Sequence, residues 1–520
     1  MAVQVAIVLA ALLLRVYGLG VHEFWLDETF SFHDATAAHW FADLPTRDMP
    51  PLFTMLLHFW VGAVGTEEGA LRLLSAILGT LAVATTMWAA REIGGPRAAV
   101  PAGVVATLAP MQIYYSQEAR PTALVLLLMA LTLGLVHRAV VRDRARDWVL
   151  VSVVATLVLY THYFGTLALL GTAGMLLVAP SRRACVRWVA ALGVAGLLFV
   201  PWLVASFVLV EHSVAGIDWI ADAWSMTPPS AAIARTLELF VLGPRAGMVP
   251  ITLKQFNTLT FPEPLRWLAL VAAGTLVGTL ALTQGGGTTP IGRRVAALAV
   301  AMAVPLGILF AVSFVKPVYL VARHDMLAFP AFPILLGLAY STLEARGARE
   351  RTIAQVLAAA MLIPIGVKLV RYYAQPPENP ENNTAAAERL AKNLATDDVV
   401  LFPDLRGHVV LYQLVRRGWA WRGDECVDTG SAKRVGCHIL RPAALDGAVR
   451  GDAAALRTEL AGALDPNPGT VFIVHGTWVV GASGPMVLPA DRTLVDQLGQ
   501  LGYRPVAADW EVGITEYRRP

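Results

Sequence analysis

The sequence has few charged residues. Asp, Glu, Lys and Arg make up 15% of its 520 residues, 56% are hydrophobic, and the mean hydropathy is +0.57. A soluble globular protein has about 25% charged residues, so this composition argues against a soluble protein and predicts several membrane spans. The net charge of +3 is small and its charges are scattered, so nothing indicates a nucleic-acid partner.

Cysteine is scarce as well, with three in the whole chain. Their spacing resembles no zinc-binding pattern, which makes a structural metal the weaker interpretation. Cys426 and Cys437 lie in a polar C-terminal region, where an oxidising compartment would allow a disulfide across a short loop. Cys185 stands at the end of an apolar run, and we expect it to be inert.

The first twenty residues, MAVQVAIVLAALLLRVYGLG, lack a basic start and a small-x-small cleavage site. We therefore predict a retained membrane span rather than a removed signal peptide. Predominantly apolar runs recur along the chain, long enough to cross about 30 Å of hydrocarbon. With the first, they make eleven predicted spans: 2–20, 69–91, 98–113, 121–137, 148–161, 165–179, 187–208, 265–283, 295–314, 325–343 and 353–370.

Basic residues collect in alternate loops between these spans. Cytoplasmic loops hold an excess of Lys and Arg, so we predict a cytoplasmic N-terminus and, after eleven spans, a C-terminus outside. The Ala- and Arg-rich composition is typical of a GC-rich bacterium, which makes the bacterial inner membrane the expected location. The five predicted cytoplasmic loops are all basic: REIGGPR, HRAVVRDRARD, SRRACVR, TQGGGTTPIGRR and EARGARERT.

The composition changes near residue 373. A polar stretch with a helical pattern is followed by DDVVLFPD and GTVFIVHG, which are typical of short buried strands. We predict a transmembrane domain over 1–372 and an outer α/β domain over 373–520. The transmembrane domain contains two long outer loops, 21–64 and 211–262. The second is either a lid that closes on substrate or a static cap.

The first outer loop places acidic residues beside the membrane. FWLDETFSF follows the first span directly and contains the adjacent acids Asp27 and Glu28. The next residues have apolar side chains on one helical face, which is typical of an interfacial helix. After a Met-Pro-Pro turn, the apolar run at 52–64 is too short to span. Asp27, Glu28 and Asp48 can therefore converge beside one interfacial cavity.

Other polar residues fall on the same predicted side, in loops that hold Arg120, His162, Arg323 and His324. The interiors of the predicted spans are nearly free of ionisable groups. Ion-coupled transporters gather such groups near the membrane midplane, so this pattern argues against one. It favours chemistry at the outer membrane–water boundary.

Several short motifs together resemble the GT-C glycosyltransferases. They are, in chain order, WLDE, DMPPL, YYSQEARPTALVLLL, THYFG and VYLVARHDMLAFPAF. The resemblance covers about residues 1–345 and is to family 39 and its bacterial relatives, the protein O-mannosyltransferases and lipid A aminoarabinose transferases. It implies the GT-C fold, and transfer of a sugar from a polyprenyl-phosphate carrier to an acceptor at the outer face.

The resemblance also implies roles for the acids. Asp27 corresponds to the catalytic acid–base position and Glu28 to its neighbouring acid, while Asp48 corresponds to the acid before the proline pair in the mannosyltransferases. The mannosyltransferases have a histidine where this chain has Met49, which leaves the acceptor class open. A carboxylate suits Asp27, because the acceptor hydroxyl must lose a proton as it attacks C1 of the sugar.

The donor phosphate calls for cations, because negative charge grows on it as it leaves. Arginine offers phosphate a bidentate fork. The residues expected to bind the donor are Arg120, Arg323, Tyr115, His162 and His324. Those expected to bind the sugar or acceptor, besides Asp48, are Trp25 and Tyr163.

Each assignment has a simpler structural alternative. Asp27 could cap the interfacial helix, and Glu28 could be a solvated first-turn acid. Arg120 could extend to lipid headgroups, and Trp25 and the tyrosines could belong to the aromatic belt at the interface.

No cofactor is required by the sequence. A divalent metal is optional, because Asp27, Glu28 and Asp48 are suitable ligands but no tight ligand spacing demands one. Some members of the superfamily use a divalent ion and others do not.

The favoured function is an inverting glycosyltransferase whose partners are a polyprenyl-phosphate-linked sugar, a glycan, lipid or protein acceptor, and membrane lipids. One alternative is a transporter or flippase of polyprenyl-linked glycans, which predicts polar residues through the depth of the helix bundle. Another is a catalytically silent membrane scaffold, which leaves the acids and arginines unexplained.

Overall fold

The computed structural model describes residues 2–37, 39–47, 49–209, 229–244, 261–284, 288–374, 382–422, 424–465, 467–476, 478–481, 484–487 and 489–520. The chain divides into two compact units. The first comprises Met1–Gly20 and Asp34–Pro376, and the second comprises Val21–His33 and Pro377–Pro520. The grouping of Val21–His33 with the C-terminal residues is not indicated by the sequence pattern.

The described part of the first unit is helical. Helix α2 (Leu26–Thr36) begins in the second unit and ends in the first. The other helices are α1 (Ala2–Val16), α3 (Trp40–Asp43), α4 (Leu52–Val64), α5 (Glu68–Gly94), α6 (Pro96–Leu108), α7 (Pro110–Ser116), α8 (Thr122–Arg142), α9 (Ala145–Leu159), α10 (Gly165–Gly171), α11 (Arg182–Leu203), α12 (Pro229–Leu242), α13 (Glu263–Thr283), α14 (Pro290–Val312), α15 (Ala331–Glu344) and α16 (Ala348–Ala374).

Local sequence sets the ends of several helices. Ser181 and Thr289 cap α11 and α14, because their hydroxyls accept hydrogen bonds from the backbone N–H groups of Ala184 at 3.0 Å and Gly292 at 2.9 Å. Helix α5 ends before Gly95, whose φ of 90° is unfavourable for residues with a side chain.

Small residues let the helices of this unit approach closely. A Cβ on Gly171 would lie 2.8 Å from the carbonyl oxygen of Ala301 in α14, and one on Gly337 would lie 2.6 Å from that of Ala98 in α6. Real side chains do not fit at these distances. Glycine is therefore needed at both positions for the backbones to touch.

Six described helices are long and apolar enough to cross a membrane, and four shorter apolar helices accompany them. All eleven predicted spans contain helix, and their number stays a prediction. Two of them differ from the expectation. The predicted span 98–113 is broken before Pro110, because the residue preceding a proline avoids the helical conformation. The predicted span 325–343 becomes α-helical only at Ala331, after a short 3₁₀ helix.

The second unit contains a seven-stranded sheet in the order β2-β3-β4-β1-β5-β9-β8 and a separate hairpin of β6 and β7. β1 pairs in parallel with β4 and β5, and the remaining pairs are antiparallel. The strands are β1 (Val399–Phe402), β2 (Trp419–Arg422), β3 (Glu425–Asp428), β4 (Arg434–Ile439), β5 (Val471–Val474), β6 (Trp478–Gly481), β7 (Gly484–Val487), β8 (Arg504–Asp509) and β9 (Ile514–Arg518). The helices are α17 (Asn383–Asn393), α18 (Arg406–Val415), α19 (Pro442–Val449), α20 (Ala454–Ala463) and α21 (Pro489–Gln500).

The buried strands predicted from DDVVLFPD and GTVFIVHG are confirmed as β1 and β5, whose residues are all buried. Cys426 in β3 and Cys437 in β4 form a disulfide, with their Cα atoms 5.8 Å apart. Cys185 is exposed.

Aromatic contacts attach the segment Val21–His33 to the C-terminal residues of its unit. The ring of Phe24 stacks on Tyr412 with centroids 5.0 Å apart, and Phe32 meets the same ring edge-on at 4.9 Å. Both phenylalanines are buried. The segment is thus held by apolar packing, which contributes stability in proportion to the area removed from water.

Candidate functional site

The loop after α9 carries His162 in the first unit. The imidazole Nδ1 of His162 accepts a hydrogen bond from the backbone N–H of Phe164 at 3.2 Å. The carbonyl of Tyr160 accepts one from the backbone N–H of Leu52, the first residue of α4, at 2.9 Å. The chain that follows the Met-Pro-Pro turn therefore lies beside this loop.

The turn after α7 carries Arg120. The Arg120 backbone N–H donates to the carbonyl of Glu118 at 2.8 Å, and its carbonyl accepts from the hydroxyl of Ser75 in α5 at 3.5 Å. The buried Tyr115 hydroxyl at the end of α7 donates to the carbonyl of Ala322. This bond connects two segments that lie 207 residues apart in the chain.

The segment between α14 and α15 carries Arg323 and His324. The hydroxyl of Ser313 accepts hydrogen bonds from the backbone N–H groups of Val318 at 3.0 Å and the following residue at 2.7 Å. Ala322 has a φ of 71°, a left-handed conformation that is unusual for a residue with a side chain. The chain is thus forced to turn immediately before Arg323.

A buried hydrogen-bond chain continues from this turn. Asp325 is fully buried, and its Oδ2 accepts a hydrogen bond from the hydroxyl of Thr236 at 2.6 Å. The same hydroxyl lies 2.7 Å from the hydroxyl of Tyr319. Thr236 belongs to α12, so these bonds fix the segment with Arg323 against that helix.

The imidazole rings of His162 and His324 are neighbours, with centroids 6.1 Å apart. Burial, together with the charges of His324, Arg120 and Arg323, lowers the pKa of His162 to about 3. Burial lowers the pKa of His324 to about 4, opposed by its hydrogen bond to the Val318 carbonyl and assisted by Arg323. Both imidazoles are therefore neutral near pH 7.

The two neutral rings carry their protons on different nitrogens. Nδ1 of His324 lies 2.6 Å from the carbonyl oxygen of Val318, so this nitrogen is the donor. Nδ1 of His162 accepts from Phe164, so the proton of His162 is on Nε2. The cluster thus contains two arginines and an imidazole Nε2–H, which are the kinds of donor that suit a phosphate.

The structure brings together the residues that the sequence analysis expects to bind the donor phosphate. His162 lies within electrostatic reach of Arg120, Arg323 and His324. The Tyr115 hydroxyl contacts the backbone just before Arg323. Tyr163 follows His162, and its hydroxyl accepts a hydrogen bond from the indole N–H of Trp202 in α11 at 3.1 Å. The sugar-binding role expected of Tyr163 is compatible with this fixed position.

Asp27, Glu28 and Trp25 belong to the second unit. Helix α2 begins at Leu26, so both acids lie in its first turn, where the helix dipole favours negative charge. Glu28 is fully buried, and its Oε2 accepts from the backbone N–H of Trp25 at 3.5 Å, as in a capping box. Asp27 is half-buried. The alternative in which Asp27 caps the helix does not hold, because Asp27 lies inside it.

Asp48 lies outside the described residues, as do 211–228 and 245–260 of the expected lid or cap. Within the part of the chain that the structure describes, no group of three or more His, Cys, Asp or Glu could hold a metal ion. A metal held by Asp27, Glu28 and Asp48 therefore stays a prediction.

The sequence analysis did not single out two residues that support this cluster. Arg15 in α1 is fully buried, and its Nε donates to the hydroxyl of Ser116 at 3.2 Å beside Tyr115. A single arginine within the apolar run ALLLRVYG is a signal that could have identified it. The second residue is Thr236, and nothing in the sequence around it predicts its hydrogen bond to Asp325.

Comparison with known proteins finds one matching family model and several solved structures of similar fold. Residues 48–205 match the family model described as dolichyl-phosphate-mannose-protein mannosyltransferase. No match was found among curated proteins.

Solved structures match over most of the chain. Apo ArnT from Cupriavidus metallidurans is 14% identical with a TM-score of 0.60, over 99% of this chain and 97% of that one. ArnT bound to undecaprenyl phosphate is 15% identical with a TM-score of 0.58, over the same 99% and 97%. The Archaeoglobus fulgidus oligosaccharyltransferase AglB, in complex with an inhibitory peptide and a dolichol-phosphate, is 13% identical with a TM-score of 0.55, over 91% of this chain and 69% of that one.

These similarities confirm the predicted resemblance at the level of fold: the chain has the GT-C fold, with a C-terminal sheet domain. At such low identity a shared fold does not by itself carry activity or substrate across.

Proposed function

We propose that the protein is an inverting glycosyltransferase that moves a sugar from a polyprenyl-phosphate carrier to an acceptor hydroxyl at the outer face of the bacterial inner membrane. The observation that carries this proposal is the cluster of Arg120, His162, Arg323 and His324. The similar structures with bound undecaprenyl phosphate and dolichol-phosphate support a lipid-phosphate donor. The matched mannosyltransferase family supports a sugar attached to such a carrier.

The cation cluster binds the donor phosphate. The guanidinium groups of Arg120 and Arg323 contact its oxygens, and the Nε2–H of His162 donates a further hydrogen bond. Negative charge on the phosphate grows as its bond to C1 breaks. These groups therefore stabilise the transition state more than the bound donor.

Asp27 accepts the proton of the acceptor hydroxyl. The acceptor oxygen attacks C1 from the side opposite the phosphate, so the new C1–O bond forms while the old C1–O bond breaks. The electron pair of the old bond leaves with polyprenyl phosphate, and this single displacement inverts the configuration at C1. The half-buried position of Asp27 supports its access to an acceptor. Glu28 is the supporting acid that fixes the start of α2.

Recognition of sugar and acceptor falls to Asp48, Trp25 and Tyr163 in this proposal. The donor sugar is mannose, arabinose, glucose or aminoarabinose, and the acceptor is a glycan, a lipid or a protein. Residues 1–372 form the catalytic transmembrane domain with its N-terminus inside, and residues 373–520 form the outer domain.

The experiment that tests the proposal supplies radiolabelled polyprenyl-phosphate sugars to the full-length protein in proteoliposomes, together with acceptors extracted from the producing cells. We expect one of the four donors to lose its label to an acceptor, with the anomeric configuration inverted. A flippase would move the lipid-linked sugar across the bilayer while the label stays on the lipid. That result would reject the proposal.

A further inference from the structure

The C-terminal end of α8 holds a buried histidine, His137. His137 is 4% exposed, and neither of its ring nitrogens has a hydrogen-bond partner among the described residues. Helix α8 rises 1.5 Å per residue, so His137 lies about 25 Å along the chain direction from Arg120. His137 is therefore remote from the cation cluster that contains Arg120.

A buried imidazole without a partner is unusual in a native protein. Whatever its protonation state, the ring carries at least one N–H that requires an acceptor. Buried polar groups are nearly always satisfied by protein, water or a bound ligand. The His137 ring therefore calls for an acceptor from outside the part of the chain that the structure describes.

Two arginines act on this histidine. Arg294 near the start of α14 and Arg142 at the end of α8 both interact electrostatically with His137. The Nε of Arg294 is itself buried, without a hydrogen-bond partner in the described part of the chain. An anion would suit both residues, because it accepts from both N–H groups and offsets the charge of Arg294.

The nearby acids are already paired with other arginines. Glu92 lies 2.8 Å from Arg142, so the charge of that arginine is neutralised within the protein. No ion pair of Arg294 is seen among the described residues, so its charge is available to an incoming anion. Two more acids form ion pairs: Asp147 in the first turn of α9 with Arg138 at 3.0 Å, and Asp143 just after α8 with Arg187 at 2.5 Å.

The location indicates the kind of anion. Helices α8 and α14 both have the length and hydropathy expected of membrane spans. His137 and Arg294 lie at the ends of these helices that belong to the basic stretches HRAVVRDRARD and TQGGGTTPIGRR. Basic pockets between membrane helices at such ends bind the headgroups of anionic lipids. We propose that His137 and Arg294 form a binding site for the phosphate group of an anionic membrane lipid.

This proposal is independent of the proposed transferase activity. It is tested by native mass spectrometry of the full-length protein after exchange into detergent with phosphatidylglycerol or phosphatidylcholine. We expect the wild-type protein to retain phosphatidylglycerol preferentially. Arg294→Gln should weaken that retention about tenfold, because it removes a charge-assisted hydrogen bond. Arg293→Gln, which changes the exposed neighbouring arginine, is the matched control and should retain the lipid.

Three outcomes overturn the proposal. Equal retention of both lipids by the wild-type protein would mean that water fills the site. An equal loss of phosphatidylglycerol retention in Arg293→Gln and Arg294→Gln would mean that the lipid responds to the total positive charge of the surface and not to a specific site. The third outcome combines two results. Inorganic phosphate, added to lipid-depleted protein, would raise the unfolding temperature of the wild type and not that of Arg294→Gln, while the two proteins retained phosphatidylglycerol equally. The site would then bind a soluble anion and not a lipid. Size-exclusion profiles check that the variants fold, and His137→Gln serves as the second variant.

Discussion

The neutral rings of His162 and His324 have different tasks because their protons are on different atoms. Nε2 of His162 is a donor, whereas Nε2 of His324 is an acceptor, since its Nδ1–H is held by the Val318 carbonyl. A phosphate needs donors. His162 thus belongs with the arginines, and His324 is suited to accept from a hydroxyl of the donor sugar.

The two arginines should dominate donor affinity. We predict that Arg120→Gln and Arg323→Gln each weaken undecaprenyl-phosphate binding about 10-fold to 150-fold, because each loses a charge-assisted hydrogen bond worth about 1.5–3 kcal/mol. Isothermal titration of the detergent-solubilised protein measures this effect. Arg293→Gln, which changes an exposed arginine of α14, should bind as the wild type does. Unchanged affinity in both cluster variants would contradict the prediction.

His408 in the second unit should make stability sensitive to acid. Its ring packs against Phe30 and Trp421 at 4.8 and 5.6 Å, and burial, aided by His33, lowers its pKa to about 4. In the unfolded chain its pKa is about 6.5. The unfolded state therefore binds the proton first, and the stability present above pH 6.5 is lost as the pH falls towards 4.

The measurement compares unfolding temperatures of the full-length protein at pH 7 and pH 5. We predict that the unfolding temperature falls more between pH 7 and pH 5 in the wild type than in His408→Gln, which has no titratable group at this position. Equal losses in the two proteins would show that His408 does not carry the effect.

At the scale of elements, the segment between α14 and α15 positions Arg323 through its backbone. Ala322 is held at a φ of 71°, which glycine tolerates and a β-branched residue does not. We predict that Ala322→Val weakens donor binding by displacing Arg323, while Ala322→Gly keeps wild-type affinity. Titration with undecaprenyl phosphate compares the pair. If the valine variant folded and bound normally, the backbone turn would have no role in positioning the arginine.

Elements with a strong local pattern could be predicted from the sequence. The apolar run at 52–64 corresponds to α4, and DDVVLFPD to β1, because length and periodicity decide both. Local pattern fails where one residue interrupts a run, as Pro110 does. It also fails to indicate that Val21–His33 packs with the C-terminal residues, since that depends on contacts such as Phe24 with Tyr412.

The same distinction applies to the candidate site. The sequence predicts that Arg120, His162 and Arg323 lie on one side of the membrane, because alternate loops between spans share a side. The distances between these residues and the tautomers of the histidines could not be predicted from the sequence. The bonds from Tyr115 to Ala322 and from Thr236 to Asp325 join positions 207 and 89 residues apart. Such pairs follow only from the packing of the helices that carry them.

At the scale of the whole molecule, the predicted orientation can be tested with a native cysteine. Cys185 is exposed and lies in the first turn of α11, within the basic stretch SRRACVR. It is the free thiol of a chain with three cysteines, because the other two form the disulfide. We predict that a membrane-impermeant maleimide labels Cys185 in inside-out vesicles and leaves it unlabelled in right-side-out vesicles.

The matched control is Val315→Cys in a Cys185→Ser background. Val315 is 91% exposed and lies in a predicted outer loop, so it should show the opposite pattern of labelling. Labelling of Cys185 from the outside would reverse the predicted topology and with it the proposed outer-face reaction.

The central claim of the account is that Asp27 takes the proton of the acceptor hydroxyl, and the rate of sugar transfer by Asp27→Asn tests it most directly. Asparagine has nearly the same shape but cannot act as the base. We predict unchanged donor affinity and a transfer rate lower by about 100-fold to 10,000-fold. Asp43→Asn, at a half-exposed acid of the first outer loop, should transfer normally. Transfer by correctly folded Asp27→Asn at the wild-type rate would contradict the claim.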